Sequence, residues 1–77
     1  MAIEITARVD ARGLSCPMPI VKTAQAAKTT ASGAYIEVLA TDPGSTKDLA
    51  AWAKTTGHAL VEQSVDGGVF RFLIRRK

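Results

Sequence analysis

The sequence predicts an α+β fold: a two-layer α/β sandwich in the order β-α-β-α-β-β, with a four-stranded mixed sheet and both helices on one face. Three observations predict it. Segments whose apolar residues alternate are separated by segments whose apolar residues recur at helical spacing. Strand–helix–strand crossovers of this length imply parallel neighbours joined by right-handed connections. Near the end, Asp66-Gly67-Gly68 reads as a tight hairpin turn between the last two strands. At 77 residues the chain is one domain, 1–77, with room for a single two-layer core.

The first strand is predicted over 3–10, with Ile3, Ile5, Ala7 and Val9 on one face and Glu4, Thr6, Arg8 and Asp10 on the other. That split argues for a sheet covered on one side only. Gly13 turns the chain, and a helix over 17–31 follows, carrying Ile20, Val21, Ala24, Ala27 and Ala31 at helical spacing. Lys22, Gln25 and Thr29 fall on its outer side, and Gly33 is its stop signal. Tyr35 to Ala40 is the second strand. The second helix has two candidate starts: Asp42 capping with Pro43 in first position, or Ser45 capping with Asp48 closing a capping box. Leu49, Trp52, Ala53 and Thr56 form its buried stripe, which reads Trp52 as packing, and Gly57 ends it. Ala59 to Val65 is a third, less cleanly patterned strand. Val69 to Arg75 is the last, with Phe70, Phe72 and Ile74 inward and Arg71 and Arg75 outward.

Composition narrows the function. One cysteine cannot pair internally and fits a reducing, cytoplasmic setting. The N-terminal segment reads as neither signal peptide nor membrane span. One Cys and one His do not build a metal shell, so neither metal nor cofactor is expected. The net charge of +3 and sequence pI of about 9.4 suggest acidic partners or RNA, although Arg75, Arg76 and Lys77 read as a solvated tail.

The chemistry concentrates at Gly13-Leu14-Ser15-Cys16-Pro17-Met18-Pro19-Ile20, where a strand gives way to a helix. With Cys16 as N-cap, Pro17 is the first helical residue and Pro19 the third, and Pro19 removes one of the amides that a capping side chain normally engages. The sulfur then keeps the positive helix end with few local donors, which favours an available thiolate. The competing reading is a small, inert, buried thiol. Topology places Cys16 at the carboxyl edge of the sheet with the 42–46 loop, Arg12 and Lys47, and with the Asp66-Gly67-Gly68 turn if the third strand is parallel to the first two. Arg12 favours a thiolate, whereas Asp10, Asp42 and Asp66 oppose it; turn and cap chemistry is the alternative role for each. His58 lies at the other edge, roughly 15–20 Å away at ~3.3 Å per residue. A Cys–His dyad is therefore excluded, and His58 reads as a boundary residue bonding a helix carbonyl.

The run from Asp10 to Pro19 resembles the signature of the TusA/SirA-like sulfur-carrier family, with its Cys-Pro-x-Pro motif after a strand. The likeness extends to Asp42-Pro43, Thr46, Asp48, His58 and the Asp66-Gly67 hairpin, and so covers nearly the whole chain. The resemblance implies the same β-α-β-α-β-β sandwich and a sulfurtransferase that carries sulfane sulfur as a persulfide on Cys16. It implies a donor protein (a cysteine desulfurase or rhodanese-like protein) and an acceptor protein with a reactive cysteine. The destinations it suggests are tRNA thiolation, molybdenum-cofactor assembly and dissimilatory sulfur oxidation. Gly13, Leu14, Pro17, Met18 and Pro19 form the motif and helix start, while Arg12, Lys22, Asp42 and Lys47 are candidates for electrostatic or docking roles. Some relatives carry a second cysteine where this chain has Ala53, and others a Glu where it has Met18. The isolated chain is expected to be monomeric, with no membrane association and no direct nucleic-acid binding. The rival reading is a small RNA-binding or regulatory module in which Cys16 only caps a helix. A thiol–disulfide oxidoreductase would lack its second active-site cysteine.

Overall fold

The computed structural model describes residues 5–15 and 17–77. Its elements are β1 (Ile5–Ala11), α1 (Met18–Thr29), β2 (Tyr35–Ala40), α2 (Ser45–Thr56), β3 (Ala59–Asp66) and β4 (Val69–Arg75). The predicted order and mixed four-stranded sheet are present, with strands arranged β1-β2-β4-β3. β1 and β2 are parallel, and β4 is antiparallel to both β2 and β3. β3 is thus parallel to β2 but not its neighbour, because the hairpin folds β4 into the gap between them. That is a correction to the expectation of adjacent parallel strands at both crossovers.

The core lies between the sheet and the two helices. Val9, Ala11, Ile36, Val38, Ala40, Phe72 and Ile74 point into it from the strands, and Ala27 and Leu49 enter from α1 and α2. Phe72, Ile36, Leu49, Ile74 and Val38 are fully buried, each contributing about 1.5–3 kcal/mol of transfer free energy. Leu14, Ile20 and Trp52 pack at the margin.

Helix ends depart from the sequence reading in instructive ways. Ile3 and Glu4, expected in the first strand, lie outside the described residues. α1 stops at Thr29, well before Gly33. Thr30 is already extended (φ −97, ψ 137), and the Thr29 and Thr30 hydroxyls both donate to the Ala26 carbonyl, which ends the helix in place of a glycine. The buried face of α1 is Pro19, Thr23 and Ala27, whereas Val21 and Ala31 are exposed. Thr23 tolerates burial because its hydroxyl donates to the Pro19 carbonyl at 2.7 Å.

Neither predicted start of α2 is used: Gly44 is its N-cap, without a side-chain capping bond. Asp42 instead accepts the Gly44 N–H at 3.1 Å, while the Ser45 hydroxyl turns back to donate to the Asp42 carbonyl. Both side chains are spent on the turn before the helix. At the far end Thr56 is exposed rather than part of the buried stripe, its hydroxyl donating to the Trp52 carbonyl at 2.7 Å.

β3 is an edge strand, exposed at every residue but Leu60. A register shift between Leu60 and Glu62 puts an extra residue into the strand, which is why its pattern is not a clean alternation. On the face away from the helices, Glu37 bridges Arg8 (3.4 Å) and Arg71 (2.7 Å), and Arg71 reaches Glu62 at 3.5 Å. Leu73, between Glu37 and Glu62 in register, is buried beneath this charged row.

Candidate functional site

Strand direction decides what meets at one edge. β1 and β2 end together where Ala11 pairs with Ala40. Ala40 in turn pairs with Phe70 at the start of β4, so the Asp66–Val69 hairpin shares that edge as expected. The turn over 12–15, the loop over 41–44 and the hairpin therefore stand side by side. The hairpin lies two strand spacings from β1, about 10 Å. Cys16 itself lies outside the described residues, and its surroundings are described through the residues on either side.

The amides of Arg12, Gly13 and Leu14, ahead of Cys16, each have a definite partner. Arg12 N–H donates to the Asp10 carboxylate at 3.2 Å, Gly13 N–H to the Thr41 hydroxyl at 2.8 Å and Leu14 N–H to the Ala11 carbonyl at 3.2 Å. Gly13 has φ +78, a conformation that a residue with a Cβ pays to adopt. Leu14 is half-buried against the core, which anchors the turn.

The helix start is shifted by one residue from the expected register. Pro17 is the N-cap, Met18 the first helical residue and Pro19 the second. The Pro17 carbonyl closes the first helical turn by accepting the Val21 N–H at 3.1 Å. Proline has no side-chain oxygen, so no side-chain bond caps the helix. Met18 N–H is bonded to the Ser15 carbonyl at 2.9 Å. Pro17 and Met18 are exposed, while Pro19 is buried.

The charges sort differently from the sequence reading. Arg12 forks onto Asp10 through Nε at 2.8 Å and a terminal guanidinium nitrogen at 3.0 Å. These bonds hold the Asp10 carboxyl down at about 2 and raise the Arg12 pKa further. Arg12 is thus neutralised by Asp10 and is not an uncommitted counter-charge for the thiol. Lys22 Nζ donates to the Asp10 carbonyl at 3.2 Å, a neutral acceptor that leaves its positive charge uncompensated by that bond. Lys47 is exposed in the first turn of α2, and Asp42 is committed to the loop through the Gly44 amide. Sequence reasoning did not find Thr41. Its only signal is its place one residue past a strand that runs parallel to β1.

His58 is at the opposite edge. Its Nδ1 accepts the Lys77 N–H at 2.9 Å, and its ring lies 5.0 Å from that of Trp52. It accepts from a backbone amide rather than bonding a helix carbonyl, so it carries its own proton on Nε2. Burial, then Arg76 and Lys77, push its pKa below 6.5.

Residues 7–76 match the family described as Sulfurtransferase TusA. The chain belongs to the TusA family. It is 47% identical over 68 residues to the sulfur carrier protein TusA of Allochromatium vinosum, covering 88% of this chain and 90% of that one. Against YrkI of Bacillus subtilis the identity is 48% over 68 residues, covering 88% and 91% of the two chains. YrkF of the same organism is 46% identical over 74 residues, but those residues are 96% of this chain and only 40% of YrkF. The crystal structure of a SirA-like protein from Desulfitobacterium hafniense superposes with a TM-score of 0.81 at 25% identity, covering 91% of this chain and 96% of that one. The predicted sandwich thus matches the SirA-like fold. No helix among the described residues is long and apolar enough to cross a membrane, and no cluster of metal-ligating side chains occurs among them.

Proposed function

We propose that this TusA-family chain accepts sulfane sulfur as a persulfide on Cys16 and hands it to a partner protein, acting as a sulfurtransferase in a protein-to-protein relay. The observation that carries the reading is the single cysteine of a chain whose relatives are named sulfur carriers. A sulfur held as a persulfide has one place to sit.

Loading begins when the Cys16 thiolate attacks the outer sulfur of a donor persulfide. A new S–S bond forms on Cys16, the donor's own S–S bond breaks, and the donor cysteine leaves as a thiolate. Delivery repeats the exchange, with an acceptor thiolate attacking the terminal sulfur and Cys16 as the leaving thiolate. No net oxidation or reduction occurs in either step. Without a second cysteine the chain cannot expel sulfur by closing an internal disulfide, so release needs an outside nucleophile. The positive end of α1 favours the thiolate at the start and finish of this cycle. Exposed Met18 and Val21 offer apolar contact beside the reacting residue, and Lys22 offers positive charge to an acidic partner.

The donor is a desulfurase or rhodanese-like protein in this proposal. The acceptor leads to tRNA thiolation, molybdenum-cofactor assembly or sulfur oxidation, all in the cytoplasm. The RNA-binding rival is not favoured. The sheet face away from the helices carries the Arg8–Glu37–Arg71–Glu62 row, not the stacked aromatics that single-stranded RNA modules use. The test is delivery: protein loaded with radiolabelled sulfane sulfur is mixed with a cysteine-bearing acceptor. Label passing to the acceptor from the wild type but not from Cys16→Ser is expected. Equal labelling of the acceptor with either protein would overturn the proposal.

A further inference from the structure

We infer that Thr41 is a positioning residue for the proposed reaction: its hydroxyl holds the turn that delivers the chain into Cys16. The inference rests on the reading of Cys16 as the reacting residue and adds a second loop to its support.

The turn over Ala11–Leu14 is closed by the Leu14 N–H to Ala11 carbonyl bond. Gly13 is its third residue at φ +78, while Arg12 is not left-handed, an arrangement of the type II kind. In such a turn the amide of the third residue is not used by the turn's own hydrogen bond and is open to an outside acceptor. Thr41 supplies it at 2.8 Å, across 28 residues of sequence. The turn's other hydrogen bonds among the described residues are local in sequence. Arg12 N–H goes to Asp10, Leu14 N–H to Ala11, and the Ser15 carbonyl takes the Met18 N–H. Of these bonds, the one from Gly13 to Thr41 is the one that reaches a segment distant in sequence. Ala11 pairs with Ala40, which puts Thr41 one step beyond the last rung of the β1–β2 ladder. The rigid ladder thus extends by one hydroxyl into the turn. Losing that hydroxyl removes the tie without substituting a core residue or any residue of the cysteine motif.

The test compares Thr41→Val, which keeps the shape and loses the acceptor, with Thr41→Ser, which keeps it. Two readouts are taken on the folded full chain: amide exchange of Gly13, and the rate of Cys16 alkylation by iodoacetamide across pH. Thr41→Val is expected to speed Gly13 exchange at least fivefold, the size of one neutral hydrogen bond. It is also expected to change the alkylation rate or the midpoint of its pH profile severalfold, with Thr41→Ser staying near wild type. Thr56→Val, which loses a hydroxyl bond at the far end of α2, is expected to leave both readouts alone. A folded Thr41→Val that alkylates like wild type at every pH overturns the inference. Should that variant not fold, Gly13 exchanging as freely in the wild type as in an unstructured peptide overturns it equally. Alkylation needs no sulfur donor, so failure of the carrier reading shows as failed loading of the wild type and is distinguishable.

Discussion

Arg12 illustrates how two residues of separation redirect a charge. Read along the chain it stands four residues before Cys16 as a natural counter-charge; folded, it is paired with Asp10 through side chain and backbone. Lys22, beside the turn, bonds the Asp10 carbonyl and its charge adds to the lowering of the Asp10 carboxyl. A side-chain fork between positions i and i+2 at a strand end depends on the turn's geometry, and no periodicity records it. His58 is a second case. Its folded pKa lies below the usual 6.5 through burial and the charges of Arg76 and Lys77, and protonating Nδ1 would remove the acceptor of the Lys77 N–H. As pH falls through 6.5 the unfolded chain binds the proton more readily than the folded one, so stability declines from there toward the lower folded pKa. Asp10, held at about 2, enters only below its ordinary 3.8. Urea midpoints are therefore expected to fall between pH 7.5 and pH 5, and His58→Gln is expected to flatten that fall.

At the scale of elements, what was legible in the sequence was period. Alternation marked β2 and β4 to the residue, and helical spacing marked α2 through Leu49, Ala53 and the Gly57 stop. Helix starts were not legible, because several adjacent residues can each cap and the choice falls to contacts. Ser45 donates backward to Asp42, and the cap passes to Gly44. The end of α1 was misread for a related reason, since two threonine hydroxyls on one carbonyl did the work assigned to a glycine. Gly57 is different, since its φ of +83 demands a glycine whatever the neighbours do. An added Cβ would meet only the flexible Lys77 side chain, 3.0 Å away, so the cost of Gly57→Ala is mainly backbone. A loss of about 1–2 kcal/mol is expected, read as a melting temperature lowered by several degrees.

For the whole molecule, the layering followed from one-sided strands, and the common edge of turn, loop and hairpin followed from strand direction. Sequence pattern did not reveal that β4 lies between β2 and β3, because an inward-facing strand has the same alternation at any place in the sheet. Nor did it reveal the tie from Thr41 to Gly13, which exists only because β1 and β2 end side by side. The assembled edge presents a motif turn held by Asp10, Ala11 and Thr41, a helix start with Pro17 and Met18 exposed, and the exposed lysines Lys22 and Lys47. Those features suit a thiol that meets other proteins' sulfur. The most direct test of that claim is the intact mass of the reduced protein after exposure to a sulfur donor, either a desulfurase with cysteine or thiosulfate with a rhodanese. The expected result is a gain of one sulfur atom that reductant removes and that Cys16→Ser never shows. An unchanged mass with both donors, from a thiol that titrates near an ordinary cysteine pKa, would contradict it.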